Sequence, residues 1–523
     1  TLELFSYLRI IEDVMKGAIL TPTVRMYKMP EGVETSHEFE MSPFRNPTPT
    51  NPYLNPVMLG QDKLEAIFHA ALAGYNCYVE LGTELTSFEQ TGEYVKARLK
   101  KESTGDEEEA DFEWMIGADG ARGVVRKQLG LPFLGETRHV ENFIVGDIKV
   151  EGLSRKYWHM WGDVSTILIS LRGTETPKLF NFVIGGKNIN HPRLSNDEAA
   201  IKKCLVDNTG RRTDLKFADI PWMSHYTPNI RMVQNLGYGR VYVVGDAGHV
   251  HSPTGGQGVN TGIQDSFNLG WKLALVAKGL ARPSILQSYS EERIPVITEM
   301  IEQTTKLLKR TLDNDQTALR TSGSLFQLGV NCRWSSMVVD ERKVTEAERE
   351  DLEDTYLQDF ECPVEDEDDG KIDSYGTAHD GRLRAGDRAP DSSGLIIRFP
   401  SRDPNQTCQL FQTFGSSYHT VLIFSDIVEC TTMLQATAKY AKGIVRTVVV
   451  VRAKNSLPSD VASADLVLED RDGHAYTAYC PTGVCGVCII RPDGMVGAIV
   501  NGPIWMHRYF NGVLEGGVNT RQG

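Results

Sequence analysis

Residues 239–272, GRVYVVGDAGHVHSPTGGQGVNTGIQDSFNLGWK, decide the fold, because they read as strand, loop and helix in one unbroken run. Val241, Tyr242, Val243 and Val244 form a short apolar stretch of buried-strand type. It stops at Gly245-Asp246, where the chain can turn and one carboxylate stands at the strand's carboxyl end. Gly255, Gly256 and Gly258 follow, just ahead of a helical pattern that begins at Asn260. Glycines packed this closely let the backbone approach a ligand and aim free N–H groups at it. The stretch therefore presents an acceptor for hydroxyls at Asp246 and a set of amides for an anionic or carbonyl group. His249 and His251 form a His-x-His pair, but no carboxylate or cysteine cluster accompanies them at ligand spacing, so a metal site is not expected.

Working outward, a second strand end of the same kind appears at 117–120, Gly-Ala-Asp-Gly, with Asp119 and Gly120 after the strand residues 112–116. Two acidic, glycine-bearing strand ends predict one shared site and an α/β domain. Helical spacing predicts a helix over 2–16 closed by Gly17, and another over 62–75 behind an Asp62 cap. Strands are expected at 79–81, 85–89 and 95–100, with 102–110 as a charged hairpin tip. Between 131 and 231 the pattern changes to spaced strands at 143–150, 166–171 and 179–184 with a helix over 198–206, which predicts a sheet-rich second lobe. A buried helix is expected over 260–278, closed by Gly279, and a long amphipathic helix starting beside Pro295. A separate domain starts near Leu383, with strands at 420–425, 445–451, 486–490 and 495–500. Its Cys485 and Cys488 form a C-x-x-C, but residues i and i+3 of a strand point to opposite faces, so a redox disulfide there is not expected.

A chain of 523 residues with 41% hydrophobic residues is long enough for two or three domains of ordinary globular kind. No apolar run approaches the roughly 20 residues that span a bilayer, and the first residues carry charge too early for a signal peptide. Nine scattered cysteines suit a reducing compartment, so a soluble, intracellular, cytoplasmic protein is expected. The net charge of −14 is concentrated at 340–369, where 15 acidic residues face 3 basic ones. That segment is expected to be a solvated spacer, and the absence of a basic stripe argues against a nucleic-acid partner.

Residues 239–276 resemble the second flavin signature of the FAD-dependent aromatic hydroxylases, the single-component flavoprotein monooxygenases of phenol hydroxylase type. GADGARGVVRKQLG at 117–130 is similar to that family's middle Asp-Gly motif, LGQDKLEAIF at 59–68 to its glutamine-bearing helix start, and TLELFSYL at 1–8 to the segment after its first nucleotide-binding unit. AGDRAPD at 385–391 and RPDGMV at 491–496 resemble the thioredoxin-like domain appended in the phenol hydroxylase branch, where it lacks redox cysteines. The resemblance implies an FAD-binding Rossmann-like domain (1–19, 58–130, 232–330) interleaved with a substrate-binding sheet domain (20–57, 131–231). An acidic linker (331–382) and a thioredoxin-like domain (383–523) would complete the chain. By the same resemblance Asp246, next to Gly245, holds the ribityl chain of FAD. Pro253, Gly255, Gly256, Gln257, Gly258, Val259 and Asn260 line the pyrimidine edge of its ring, and Gln61 touches FAD. Asp119 and Gly120 help place the pyrophosphate and a transient NAD(P)H. Arg231 matches an arginine set near the substrate, its other reading being a surface arginine on a domain seam.

The activity implied is hydroxylation of a phenolic substrate: NAD(P)H reduces FAD, dioxygen adds at the flavin C4a, and its distal oxygen passes to the ring. A homodimer is left open as the assembly. One departure stands out: no Gly-x-Gly-x-x-Gly follows a first strand, and the chain begins at Thr1 where that unit would have ended. The first βαβ unit is therefore expected to be missing, with FAD bound weakly or not at all by these 523 residues. The rival expectation is a truncated, non-catalytic relative acting as a binding or assembly module. An FAD reductase or halogenase on the same fold is the second enzymatic alternative, which the thioredoxin-like tail argues against.

Overall fold

The computed structural model describes residues 1–137, 142–187, 189, 191–313, 323–343, 372–376, 381–401, 403, 405–453, 461–481, 483 and 486–515. Alternation of apolar and polar residues builds the largest sheet of the first half of the chain. In Phe143–Glu151 the residues Ile144, Gly146, Ile148 and Val150 are buried and their neighbours are not, so one face joins a core and the other does not. This strand pairs with Leu179–Gly185 on one side and with Lys216–Phe217 and Trp222–Tyr226 on the other. The sheet continues through Leu168–Gly173, Tyr157–Gly162, Thr23–Tyr27 and Thr35–Phe39. Helix Glu198–Asn208, capped by Asp197, covers the buried face with Ile201 and Leu205 against Ile148, Trp161, Phe180 and Phe182. Strands 157–162 and 222–226 were not expected. Their aromatic and histidine content hides the alternation that marked the others.

The opening stretch folds as expected. Val241–Val243 runs parallel to Met115–Gly117, and Val244 N–H donates to Gly117 O at 3.0 Å, so the two acidic strand ends lie side by side. Helix Gly258–Ala277 follows, and Gly279 at φ +65° ends it. Residues 112–116, expected as one strand, divide into Glu107–Phe112 and Met115–Gly117 and confine the hairpin tip to 102–106. Residues 79–81 form no strand. The helix expected over 2–16 is two helices, Leu2–Tyr7 and Ile11–Gly17, separated at Arg9, which takes φ +62°. Helix Gln61–Ala73 starts at Gly60, and Asp62 makes no capping bond.

A larger correction concerns Pro295. The helix expected to start there is Gln287–Leu312, with Pro295 inside it. Proline has no N–H to give the carbonyl four residues earlier, normally a costly loss. Here Trp334 Nε1 donates to Glu291 O at 2.9 Å and fills that vacancy. A proline can thus sit inside a helix whose orphaned carbonyl has a tertiary partner.

The C-terminal strands form one sheet in the order Val339–Asp340, Val496–Val500, Val487–Ile490, His419–Phe424, Val445–Arg452, Leu466–Asp470, Leu395–Phe399, Thr407–Cys408. Val339–Asp340, within the stretch expected as linker, is its edge strand, paired with Ala498 and Ile499. Most of the acidic spacer, residues 344–371, and Cys485 lie outside the described residues, while Cys488 is fully buried in its strand. The sheet packs directly onto strand Val241–Val243 and helices Gly258–Ala277 and Gln287–Leu312: Val241, Trp271 and Tyr289 share a core with Val421, Val449 and Phe510. Leu4 and Tyr7 pack on its other side, against Phe411 and Phe414. Among the described residues, no helix is long and apolar enough to cross a membrane.

At the centre of this seam lies a buried charge cluster. Glu292 accepts from Arg491 Nη1 (2.7 Å), Arg491 Nη2 (2.8 Å), Lys272 Nζ (2.9 Å), Asn268 Nδ2 (2.6 Å) and Ser335 Oγ (2.6 Å). Asp493 accepts from Arg491 and from Trp271 Nε1. Two cations and two carboxylates balance, which is how buried ions avoid an uncompensated desolvation penalty. Burial alone would raise the Glu292 carboxyl, but Arg491 and Lys272 outweigh it and hold it well below its ordinary value.

Candidate active site

Gly245 is required by its turn and Gly262 by packing. Gly245 adopts φ +56°, and Gly262 of the following helix crosses it so closely that an added Cβ on Gly262 would lie 3.2 Å from Gly245 Cα. This contact brings the helix start onto the strand end. Asp265, one turn along and fully buried, then locks the corner. Its Oδ2 accepts from Gly245 N–H (3.2 Å) and from His249 Nε2 (2.7 Å), and its Oδ1 from Arg293 Nε (2.8 Å). Burial pushes the Asp265 carboxyl up, but Arg293 and His249 outweigh it and keep it below its usual range. His249 is thus a strut. His251 donates through Nδ1 to Ser252 O, and burial, with His249 alongside, pushes its pKa down to about 4, so it is neutral. No group of three or more potential metal ligands occurs among the described residues.

The loop that follows turns through two consecutive left-handed residues, Gly255 at φ +82° and Gly256 at +62°. Gln257 is buried, and its amide donates to Gly255 O (2.6 Å) and Leu325 O (3.0 Å) while its Oε1 accepts from Gln327 Nε2 (2.7 Å). Gln327 Oε1 accepts in turn from Gln264, whose own Oε1 accepts from Arg293. This chain of amides pins the loop to both long helices. The side chain of Gln257 is therefore engaged inside the protein, and that of Asn260 donates to Gly256 O (2.8 Å), which leaves the loop's backbone to face outward.

It faces a cavity of about 700 Å³. Pro253, Gly255, Gly256, Gln257, Val259 and Asn260 line one side. Trp158 and Arg172 line another from the sheet-rich lobe, beside Met58. The first N–H groups of a twenty-residue helix have no intrahelical partner and carry its positive dipole end to this wall. Asp246 is exposed at the strand end, and its carboxylate makes no hydrogen bond or ion pair with the described residues. An amide-lined cradle beside an unengaged acceptor fits a flavin with its polyol chain.

The remaining expected residues are placed less centrally. Gln61, Asp119, Gly120, Gly245, Asp246 and Gly258 do not line the cavity. Gln61 and Asp119 are exposed, and Asp119 Oδ2 accepts from Val125 N–H (3.0 Å) at a helix start. Arg231 is also outside the lining. Its guanidinium is bonded to Asn229 Oδ1 (3.0 Å), Phe133 O (3.1 Å) and Thr137 Oγ1 (3.2 Å).

Three features were missed from sequence: the Asp265–Arg293 lock, the Gln257–Gln327–Gln264 chain, and Trp158 with Arg172 on the cavity wall. Asp265 carries a faint signal as an acid within a largely apolar helix. Arg172 carries none, because its significance depends on which strand face looks inward. Burial pulls its pKa down, and Asp147 and Glu175, neither ion-paired with it, do not offset this.

Comparison with known proteins agrees with the geometry. The model of an FAD binding domain family matches residues 21–304. A flavin-dependent monooxygenase of Mycobacteroides abscessus is 32% identical over 430 residues, 81% of this chain and 78% of that protein. Pentachlorophenol 4-monooxygenase of Sphingobium chlorophenolicum is 31% identical over 250 residues, 47% of this chain and 45% of that enzyme. In fold, the chain resembles the flavin-dependent monooxygenase PieE in complex with FAD and substrate, with TM-score 0.75 and 18% identity over 98% of this chain and 91% of that one. It also resembles aklavinone-11 hydroxylase in its complex with FAD and aklavinone, with TM-score 0.73 and 19% identity over 98% and 90%. The chain belongs to the FAD-dependent aromatic hydroxylase family, an enzyme family of flavin monooxygenases whose cofactor is FAD.

Proposed function

With membership of that family as the premise, we propose that this chain hydroxylates a phenolic ring held in the 700 Å³ cavity, using NAD(P)H as reductant and dioxygen as co-substrate. One observation carries the reading: the glycine loop and the sheet-lobe wall bound the same enclosure, so a flavin ring on the loop and an aromatic ring against Trp158 would share it. Bound FAD supplies electron transfer from the nicotinamide and the activation of dioxygen.

The chain's own residues bind, orient and exclude water. Asp246 would accept hydrogen bonds from the ribityl hydroxyls of FAD. The backbone amides of residues 255–260 would hold the pyrimidine edge, where preorganised donors favour negative charge. Gln61, Asp119 and Gly120 contribute farther along the cofactor and to the transient nicotinamide. Met41, Leu54, Leu59, Leu325 and Phe326 give the cavity apolar walls that keep water from the reacting ring. Arg231 is assigned a supporting role, since its donors are already bonded within its own strand cluster.

The C-terminal unit is read as thioredoxin-like with a structural role. Its three adjacent parallel strands, 419–424, 445–452 and 466–470, followed by the antiparallel 487–490 and 496–500, support that reading. Cys430, at the start of the helix after the first of these, is buried and pushed up to about 11, unlike a reactive thiolate.

The test is turnover of the FAD-loaded chain with NADH or NADPH and a panel of phenols, with mass spectrometry of products. Phenol-stimulated oxidation of the nicotinamide and a product heavier by one oxygen are expected. If FAD binds and reduces yet no phenol gains oxygen, the reading fails.

A further inference from the structure

Among the described residues, the charged side chains lining the cavity are ion-paired except one. Three carboxylates line the cavity, and each has a cationic partner: Glu3 with Arg388 (2.8 Å), Glu292 with Lys272 and Arg491, and Asp493 with Arg491. Three arginines line it as well. Arg388 is held by Glu3 and Arg293 by Asp265, whereas Arg172 has no carboxylate within ion-pair distance among the described residues. Its Nε is buried without any partner, and its Nη1 rests on Met58 Sδ at 2.7 Å, a weak thioether acceptor.

The surroundings make this guanidinium a recognition element. Trp158 faces Arg172 in strand register, and the guanidinium carbon sits 5.2 Å from its ring centroid. Trp158 Nε1 donates to Ser170 Oγ (2.6 Å), which fixes the indole and so the arginine beside it. A buried planar donor left unpaired is costly to leave unmade, and it matches a planar carboxylate or enolate in geometry.

We propose that Arg172 is the anchor for an anionic group on the substrate, so that the cavity selects aromatic acids, or rings bearing an acidic enol, over their neutral counterparts. This rests on the reading of the cavity as the substrate site. The ligand's anion would take the position now faced by Met58 Sδ, and its ring would lie along Trp158.

The experiment compares binding of 3-hydroxy-2-naphthoate and the neutral 3-hydroxy-2-naphthamide to the FAD-loaded chain by equilibrium dialysis, independent of turnover. The acid is expected to bind about tenfold or more tightly than the amide, the scale of a charge-assisted hydrogen bond. Arg172→Gln is expected to erase that preference and Arg172→Lys to keep part of it, with thermal unfolding of each variant recorded alongside. Equal affinity for acid and amide in the unaltered chain, no binding of the acid, or an undiminished preference in folded R172Q overturns the proposal. Oxygenation is scored separately on the panel of phenols: a charge preference with no phenol gaining oxygen leaves Arg172 as the anchor and removes the hydroxylase reading.

Discussion

Replacing Glu292 with glutamine tests how helices Gly258–Ala277 and Gln287–Leu312 are held to the C-terminal sheet. The side chain is fully buried and accepts from Arg491, Lys272, Asn268 and Ser335. Glutamine preserves the shape but removes one of two negative charges, leaving Lys272 and Arg491 against Asp493 alone. Removing one partner of a buried ion cluster typically costs about 3–5 kcal/mol, because the remaining charge is uncompensated. Native domains are stable by only about 5–15 kcal/mol, so the loss should be large. Urea unfolding followed by tryptophan fluorescence is the assay, since Trp271 sits within the cluster. The decisive comparison is Glu292→Gln with Lys272→Met in one chain. Removing one charge of each sign restores neutrality, so the double variant should lose clearly less than the sum of the two single losses. A single-variant loss below about 1 kcal/mol, or strict additivity of the pair, would refute the reasoning.

Gly256→Ala should lower stability by about 1–2 kcal/mol through its left-handed backbone, although nothing crowds the new methyl, and urea midpoints will show it. Gln327→Leu should cost about 1–3 kcal/mol by leaving Gln257 and Gln264 without their buried partner. It should also weaken FAD affinity, measured by flavin fluorescence, while Gln303→Leu on helix Gln287–Leu312 should not. For pH, His251 and His159 are both pushed down to about 4, so the folded chain resists protonating them. Their contribution is complete above the ordinary histidine value and is lost as pH falls from about 6.5 to 4, by about 3 kcal/mol for a fully expressed shift of that size. Asp265 and Glu292, held below their ordinary values, add a further loss as pH drops below about 4. Unfolding midpoints that stay level from pH 7 to pH 4 would contradict this assignment.

The strand–loop–helix at 239–272 was legible because its signals are local. A strand shows as an apolar run, a turn as glycine, and an anion-binding helix start as glycines before an amphipathic pattern, all within about ten residues of one another. Pairing of the two acidic strand ends was legible for the same reason, each end carrying its own mark. The start of helix Gln287–Leu312 was not, because the partner that allows Pro295 inside it is Trp334, which lies outside the helix. The same holds for the edge strand at 339–340, whose two residues have no period to read.

What the sequence by itself determined is the strand–loop–helix at 239–272 and the family the chain belongs to, since those depend on residue types at fixed short spacing. What only the tertiary structure decided is the charge ledger of the cavity. Arg388 finds Glu3 across 385 residues, Arg491 finds Glu292 across 199, and Arg172 finds no carboxylate among the described residues. Pairing of charges depends on distance in space, which strand register and helix packing set and residue order does not reveal.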